Sequence, residues 1–212
     1  MSAARLQWTI WALPLAAAMY LAFAVGAAPR AHAADDAAAY VQGVADEATG
    51  ILNNSGLSES AKRDALSKMI DTHLDLDKIA RFTLGKYARI ATDAEKAEYI
   101  PLLKQYVINF YVNNLVKYHD VKFKIIRSID KGAQGTIVVS SIAAGSDEPN
   151  EADWRVVKGP NGFSIFDANI QGLWVAQNLE QTIVPYVDEH GGKVTAAIEK
   201  LREQVNSAPP AG

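Results

Sequence analysis

The spacing of apolar residues changes at His119, and this change constrains the fold more than any other feature of the sequence. Before His119, apolar residues recur every three or four positions, as in amphipathic helices. After it, the stretches VKFKIIRSI, GTIVVSSIA, ADWRVVK and FSIFDANIQ alternate or are rich in β-branched residues, with turn-forming residues between them. Helical spacing then returns. The order predicts an α+β fold, with helices before and after a curved antiparallel sheet of four or more strands and packed on one of its faces.

Three helices are predicted in the first part of the chain. The first covers ADDAAAYVQGVADEATGILNN. The second begins near Glu59 and turns Leu66, Met69 and Ile70 inward. The third is LDKIARFTL, which ends before Gly85, a residue suited to the left-handed position that often closes a helix. The inward face of the first helix is formed by Val41, Val44, Ala48, Ile51 and Leu52.

A fourth helix begins at Thr92, because a threonine followed three residues later by glutamate forms a capping box. It extends to about Tyr118, and Pro101 inside it is expected to bend it. Two further helices follow the strands, GLWVAQNLEQTIVPYVDEH and KVTAAIEKLREQV. The residues of the fourth helix expected to face the interior are Ile100, Leu103, Val107, Phe110 and Tyr111.

The amino terminus has the features of an export signal. Arg5 precedes a long apolar run that ends in AHA at residues 31–33, so residues 1–33 are predicted as a signal peptide cleaved after Ala33. The alternative is an uncleaved membrane anchor, since the run is almost long enough to span a bilayer. Either way the protein is expected in the periplasm, with residues 34–206 as one domain and 207–212 as a disordered tail.

Charge and cysteine content exclude several functions. The leader contains two of the 21 basic residues and none of the 24 acidic ones, which leaves a net charge of −5 and disfavours nucleic acid as a partner. No cysteine is present, so thiol catalysis is excluded and an exported chain must be stabilised without disulfides. No phosphate-binding loop, dinucleotide-binding turn or nucleophile elbow occurs. The four histidines are not paired at helical spacing, and we expect neither a metal nor another cofactor.

Asp167 is the one residue of the strand region that suggests chemistry. It lies within a predicted strand beside Phe166, although strand interiors disfavour aspartate. On the inner wall of a cone-shaped fold it could serve as a general base with a raised pKa. If Phe166 points inward instead, strict alternation turns Asp167 outward, where it holds a backbone amide or an arginine. The sequence leaves both registers open.

The predicted hairpin DWRVVKGPNGFSIFDANIQ and the helix before the sheet contain many bulky apolar residues. A two-layer domain needs fewer for its core. The excess indicates either a solid core or a cavity for an apolar ligand, and the pattern alone favours the core.

Two stretches resemble the MlaC or toluene-tolerance family of periplasmic lipid-binding proteins, and the likeness covers about residues 58–202. The first is RFTLGKYARIATDAEKAEYIPLLKQYVINFY, with Leu84-Gly85-Lys86-Tyr87 and Thr92 at the family's positions. The second is DWRVVKGPNGFSIFDANIQG, with Trp154-Arg155, Phe166-Asp167 and Gly172. Both motifs occur in the expected order and follow an export signal.

The resemblance implies a monomeric lipid carrier without catalytic activity, on a fold that is in part an NTF2-like cone. Such carriers hold hydrocarbon chains in an apolar cavity and leave the head group outside. The implied partners are a lipid ligand, an inner-membrane ABC transporter complex, and an outer-membrane lipoprotein or RND-type protein. Two alternatives remain: an enzyme that uses Asp167 as base, and an interaction protein that docks on a membrane complex. A cavity-free core would favour the second of these.

This chain departs from the family pattern at Ala88, at Trp174 and at Glu180, which replaces a characteristic arginine. The reversed charge and added aromatic bulk leave a phospholipid and a hopanoid, the polycyclic lipid of one family branch, as alternative ligands. The candidate lipid-binding residues are Phe82, Leu84, Tyr87, Leu103, Val107, Phe110, Phe123, Ile125, Ile137, Val139, Trp154, Val156, Ile165, Phe166, Ile170, Leu173 and Trp174.

Overall fold

The computed structural model describes residues 28–145 and 148–207. Most of the predicted signal peptide and the last five residues lie outside this part of the chain, so both predictions stay untested. Residues 28–33 are described as the first turns of a helix. None of the helices in the described ranges is long and apolar enough to span a membrane.

Four α-helices precede the sheet, as predicted: α1 (Ala28–Leu52), α2 (Glu59–His73), α3 (Leu76–Thr83) and α4 (Asp93–Leu115). A 3-10 helix (Gly85–Arg89) connects α3 to α4. The predicted capping box at the start of α4 is confirmed. The Glu95 amide donates to Thr92 Oγ1 at 3.1 Å, and the Thr92 amide donates to Glu95 Oε2 at 2.8 Å. Local sequence therefore determines where α4 begins.

The Leu84-Gly85-Lys86-Tyr87 motif attaches the 3-10 helix to a later helix, α5 (Val175–Glu189). Gly85 has a φ of +52°, and a Cβ atom there would lie 2.6 Å from Val184 Cγ2 of α5. Glycine is therefore required both for conformation and for space. Tyr87 donates a hydrogen bond to the carboxylate of Asp188, one turn beyond Val184 near the carboxyl end of α5.

The five strands form one antiparallel sheet in sequential order: β1 (Val121–Asp130), β2 (Thr136–Ala144), β3 (Asn150–Gly159), β4 (Gly162–Ile170) and β5 (Leu173–Trp174). A short 3-10 helix (Gly132–Gln134) joins β1 to β2. The predicted meander of four or more strands is confirmed. Gly159 pairs with Gly162, so Pro160 and Asn161 form the turn of the predicted hairpin.

A β-bulge in β4 settles the register that the sequence left open. Val156 pairs with Ile165, whereas the preceding Arg155 pairs with Asp167, so Phe166 is the extra residue. The bulge interrupts strict alternation, and Phe166 and Asp167 are both buried. Each open alternative assumed that only one of the two could face the interior.

The end of the sheet differs from the prediction. The sequence GLWVAQNL was expected to begin a helix at Gly172, but α5 begins only at Val175. Gln171 and Gly172 have φ values of 55° and 85°, which reverse the chain into the two-residue strand β5. A final helix, α6 (Val194–Ser207), completes the chain after the predicted Gly191-Gly192 break.

Two separate groups of apolar side chains are buried. The first, called the helical core here, contains side chains from α2 through α6, such as Leu66, Tyr99 and Leu103, together with Leu52 of α1 and Phe166 of β4. The second, called the sheet cluster, lies between α1 and the sheet. Its buried members are Ala37, Val41, Val138 and Val156, and partly buried aromatic side chains pack around them. The prediction that Phe110 is buried is wrong: its side chain is 45% exposed, although it lies two turns beyond the buried Leu103 on the same side of α4.

Candidate functional site: an apolar cavity

A cavity lies between α1, the sheet and the helical core. The side of α1 facing it is formed by Val41, Val44, Ala45, Ala48, Thr49 and Leu52. All but two of these were predicted as the inward face of the first helix; Ala45 and Thr49 were not. The small side chains among them, such as Ala45 and Ala48, leave space at this contact, because an alanine between a helix and a sheet fills less volume than leucine or isoleucine.

The opposite walls come from the sheet and from four other helices. The sheet contributes Phe123, Trp154, Ile165, Phe166 and Ile170, among others. From the helices come Met69, Ile70, Ile79, Val107, Tyr111 and Leu179, among others. Nearly all of the surface that faces the cavity belongs to carbon atoms. Such a lining offers a ligand burial and few hydrogen bonds, so what enters must itself be hydrocarbon.

The cavity is small and partly open to solvent. Its volume is about 180 Å³, within a total unfilled space of about 1120 Å³ that includes the open mouth. An apolar cavity of about 150 Å³ holds one benzene molecule. The present arrangement therefore accommodates a hydrocarbon segment of roughly six carbons, and a longer chain must push the walls apart or extend through the mouth.

Asp167 lies in the cavity wall but its carboxylate is directed to the backbone. Oδ1 accepts hydrogen bonds from the amide of Ala168 at 2.9 Å and from that of Ala176 at 2.8 Å. Ala176 is in the first turn of α5, whose own N-cap residue, Trp174, provides no side-chain hydrogen bond. Asp167 therefore caps α5 from the neighbouring strand, where a negative charge also stabilises the helix dipole.

Burial and the neighbouring groups shift the pKa of Asp167 in opposite directions. Burial is the largest and raises the pKa of its carboxyl group. The amides of Ala176 and Ala168, the cation of Arg155 and the amide of Gln177 act in the opposite direction, and the net pKa remains above its ordinary value. Burial also raises the pKa of the Tyr111 phenol, and the negative charge of Asp167 raises it further.

Arg155 faces Asp167 across the β3–β4 pair, and its guanidinium carbon lies 4.7 Å from the centre of the Trp174 ring. Stacking on an aromatic face favours a guanidinium group. Strand β3, strand β4 and the start of α5 are thus held together by Arg155, Asp167 and Trp174. This arrangement gives Arg155 and Asp167 a structural role at these motif positions.

The other titratable side chains give no sign of a metal site. Among residues 28–145 and 148–207, no three His, Asp or Glu side chains are grouped as metal ligands would be. His73 joins α2 to α1, with Nδ1 3.1 Å from Tyr40 Oη and Nε2 3.0 Å from Glu47 Oε2. His119 lies beside Asp120, and His190 lies near the Tyr186 carbonyl oxygen.

The predicted lipid-binding residues divide into two groups. Val107, Phe123, Trp154, Ile165, Phe166 and Ile170 line the cavity. The others lie elsewhere. Leu84, Tyr87 and Leu103 belong to the helical core, and Val156 and Ile125 to the sheet cluster. Ile137 and Val139 are buried in β2, Phe82 packs edge-on against Phe166, Trp174 stacks with Arg155, and Phe110 and Leu173 are exposed.

Sequence reasoning missed the α2 residues Met69 and Ile70 and the α5 residues Val175, Ala176 and Leu179 as parts of this wall. Met69 and Ile70 were predicted to face inward, which is correct, but the pattern could not separate a cavity wall from a solid core. Both environments select the same apolar side chains.

The fold and this site define a class of protein: an α+β protein whose helices and antiparallel sheet enclose an apolar cavity. The model of the MlaC protein family matches residues 42–203, and the chain belongs to this family. No match was found among curated protein sequences.

Among solved structures, a phospholipid-binding protein from Ralstonia solanacearum, determined in complex with a phospholipid, has the same fold. The TM-score is 0.70 and the sequence identity 20%, and the match covers 80% of this chain and 97% of the other.

Proposed function

We propose that this protein is a periplasmic phospholipid carrier that holds hydrocarbon chains in the cavity and leaves the polar head group outside. The observation that carries the proposal is the cavity lining, which presents almost only carbon atoms. Membership of the MlaC family and the phospholipid complex of the Ralstonia protein support it. The predicted export signal supports the periplasmic location.

The energetics explain why a carrier needs an enclosed site. Transfer of one methylene group out of water contributes about 0.8 kcal/mol, so a chain of roughly sixteen carbons costs about 13 kcal/mol when exposed. A carrier must cover most of that chain to move it through an aqueous compartment. A partly open cavity that widens as the chain enters meets this requirement.

The small volume of the cavity favours a phospholipid over a hopanoid. A flexible chain enters by segments and displaces the walls step by step, whereas a fused ring system must enter as one rigid body. Extraction of the lipid from protein purified from its own cells, followed by mass spectrometry, distinguishes the two. A hopanoid in that extract would overturn this part of the proposal.

The proposal extends to partners and excludes catalysis. We place the carrier between an inner-membrane ABC transporter and an outer-membrane partner, as is implied for the family. Asp167, the one candidate base, already accepts two backbone hydrogen bonds, which supports a binding role.

The test of this proposal introduces a larger side chain on α1 that fills the cavity. Ala48 lines the cavity, whereas Ala39 on the same helix is exposed. Ala48→Phe is expected to reduce uptake of a fluorescent phospholipid from vesicles by about tenfold, since the new ring occupies the space of the chain. Ala39→Phe, the matched control, is expected to take up lipid at the wild-type level.

Native mass spectrometry provides the second measurement. Wild-type protein and Ala39→Phe are expected to retain lipid, and Ala48→Phe to be empty. The proposal fails if the wild-type protein neither contains lipid nor takes it up, or if Ala48→Phe takes up lipid as the wild type does. Thermal unfolding checks that all three proteins are folded.

A further inference from the structure

The turn between β4 and β5 exposes two large apolar side chains. Ile170 is 42% exposed and Leu173 is 52% exposed, and the two residues pair directly across the turn. The residues between them, Gln171 and Gly172, have the positive φ values of a two-residue hairpin turn. Such a turn is short and stiff. It fixes the positions of the two residues relative to each other.

The exposure of a cavity-lining residue, Ile170, places this tip where the cavity opens to solvent. Among the residues that the structure describes, Ile170 alone both lines the cavity and is one of the exposed large apolar side chains. Nearby in the sheet, Val121 at the start of β1 and Ile142 near the end of β2 also line the cavity and are only partly buried. A hydrocarbon chain that leaves the cavity at this end passes Ile170.

We propose that the tip formed by residues 170–173 inserts into the hydrocarbon of a lipid bilayer while a chain passes between bilayer and cavity. The inference rests on the proposed function. It names the bilayer itself as the surface that the mouth contacts.

The free-energy cost of exposing a hydrocarbon chain to water favours a bilayer as the surface that the tip contacts. A chain that crosses water between cavity and membrane loses the burial that the cavity provides, and this loss slows transfer. The loss disappears if apolar residues at the mouth enter the bilayer, because the chain then moves from one hydrocarbon environment to another. Residues 168–179 carry no charge, so no ionised group of this segment must be desolvated.

Trp174, next to the tip, is suited to the surface region of a bilayer. Tryptophan favours the boundary between hydrocarbon and head groups, where its ring is partly buried and its N–H stays near water. Its ring is held by Arg155. The tip therefore combines two apolar side chains with an aromatic residue positioned to lie at the interface.

The test uses Leu173, which is exposed and does not line the cavity, so its substitution leaves the binding site intact. Leu173→Ser is expected to slow transfer of a fluorescent phospholipid from vesicles of phosphatidylethanolamine and phosphatidylglycerol by about tenfold. Binding of a lysophospholipid that is monomeric in solution is expected to be unchanged. Leu173→Met restores transfer if apolar insertion is the cause.

Ile126 provides a matched control. It is 49% exposed and belongs to the bulge of β1, and it does not line the cavity. Ile126→Ser is expected to transfer lipid at the wild-type rate. If Leu173→Ser and Ile126→Ser transfer equally well, the tip does not enter the bilayer and the inference is overturned.

The absence of cysteine in the sequence permits a direct measurement. A polarity-sensitive fluorophore on Leu173→Cys is expected to shift to shorter wavelength with protein-free vesicles and to be quenched by spin-labelled acyl chains. The same fluorophore on Ile126→Cys is expected to do neither. If both positions remain in water, the mouth meets a protein partner instead and the inference fails.

These outcomes separate the two proposals. If the wild-type protein binds no monomeric lysophospholipid, the proposed function itself fails. If it binds the lysophospholipid and Leu173→Ser transfers lipid at the wild-type rate, the function stands and only the insertion of the tip is excluded.

Discussion

The helical core and the sheet cluster use apolar side chains differently. In the helical core, large side chains such as Leu66, Tyr99 and Leu103 are almost fully buried, and Tyr99 shares a 2.8 Å hydrogen bond with Thr83. In the sheet cluster, the buried residues are alanines and valines, and the large aromatic side chains around them are only partly buried. The helices therefore supply most of the packing that stabilises the chain. The contact between α1 and the sheet leaves the space that forms the cavity.

Two valines of α4 sharpen this comparison most strongly, because both belong to the helical core but only one of them borders the cavity. Val112 is fully buried and does not line the cavity, whereas Val107 is buried in the cavity wall. Val112→Ala is expected to lower the free energy of unfolding by about 2.5 kcal/mol. Val107→Ala is expected to cost about 1 kcal/mol, because a side chain facing an existing cavity has fewer contacts to lose. Urea unfolding of the two variants measures both values.

A similar loss of stability in both variants would contradict the comparison. It would mean that the helical core is packed as tightly at its boundary with the cavity as in its interior. Binding of monomeric lysophospholipid provides a second readout, which is expected to change in Val107→Ala and to stay constant in Val112→Ala.

Asp167 connects the sheet to the helices, and its substitutions have the next largest expected effect. Asp167→Ala removes the acceptor for the Ala168 and Ala176 amides and is expected to cost about 1.5 kcal/mol. Asp167→Asn keeps an oxygen in the same place and is expected to be at least as stable as the wild type at neutral pH. The difference between the two variants isolates the capping role from the charge.

The difference in stability between Asp167→Asn and the wild type is expected to depend on pH, and its sign follows from the pKa of Asp167. Because the pKa of Asp167 is raised in the folded state, the folded chain binds more protons than the unfolded chain between the ordinary pKa and the raised one. The stability contributed by Asp167 is therefore greatest below its ordinary pKa and falls as the pH rises through that window. Asp167→Asn is expected to gain stability relative to the wild type over the same window. The opposite trend would show that Asp167 is stabilised as a carboxylate.

Gln171 is expected to have the smallest effect. Its positive φ of 55° is unfavourable for a residue with a side chain other than asparagine or aspartate. Gln171→Asn is expected to raise the free energy of unfolding by about 0.5 kcal/mol and to leave lipid transfer unchanged. A loss of stability in thermal unfolding would indicate that the Gln171 side chain makes a contact that the turn needs.

The accuracy of sequence reasoning differed between these regions. The α4 capping box, the glycine that follows α3 and the inward residues of α2 depend on neighbours a few positions away, and their prediction was correct. The burial of Phe110 was predicted wrongly because its helical position matches that of Leu103. Whether other segments cover that side chain depends on distant parts of the chain.

The residues that line the cavity were predictable only in part, because their positions also depend on distant parts of the chain. Phe123, Trp154 and Ile165 follow strand alternation, and the structure places all three at the cavity wall. Ile170 lies five positions after Ile165 and shares its face only because of the bulge between them. Phe166 and Asp167 could not both be placed by alternation, because the bulge adds one residue to β4 opposite β3. A bulge depends on the pairing of two strands, and no single strand specifies it.

The sequence by itself determined the order of helices and strands, the ends of several helices and the apolar character of the interior, because short-range spacing and capping control these features. Only the tertiary structure decided that the interior contains a cavity, that Asp167 caps a helix from a neighbouring strand, and that Ile170 lies at the mouth. Each of these depends on how closely distant segments approach one another, which side-chain volume and strand pairing determine together.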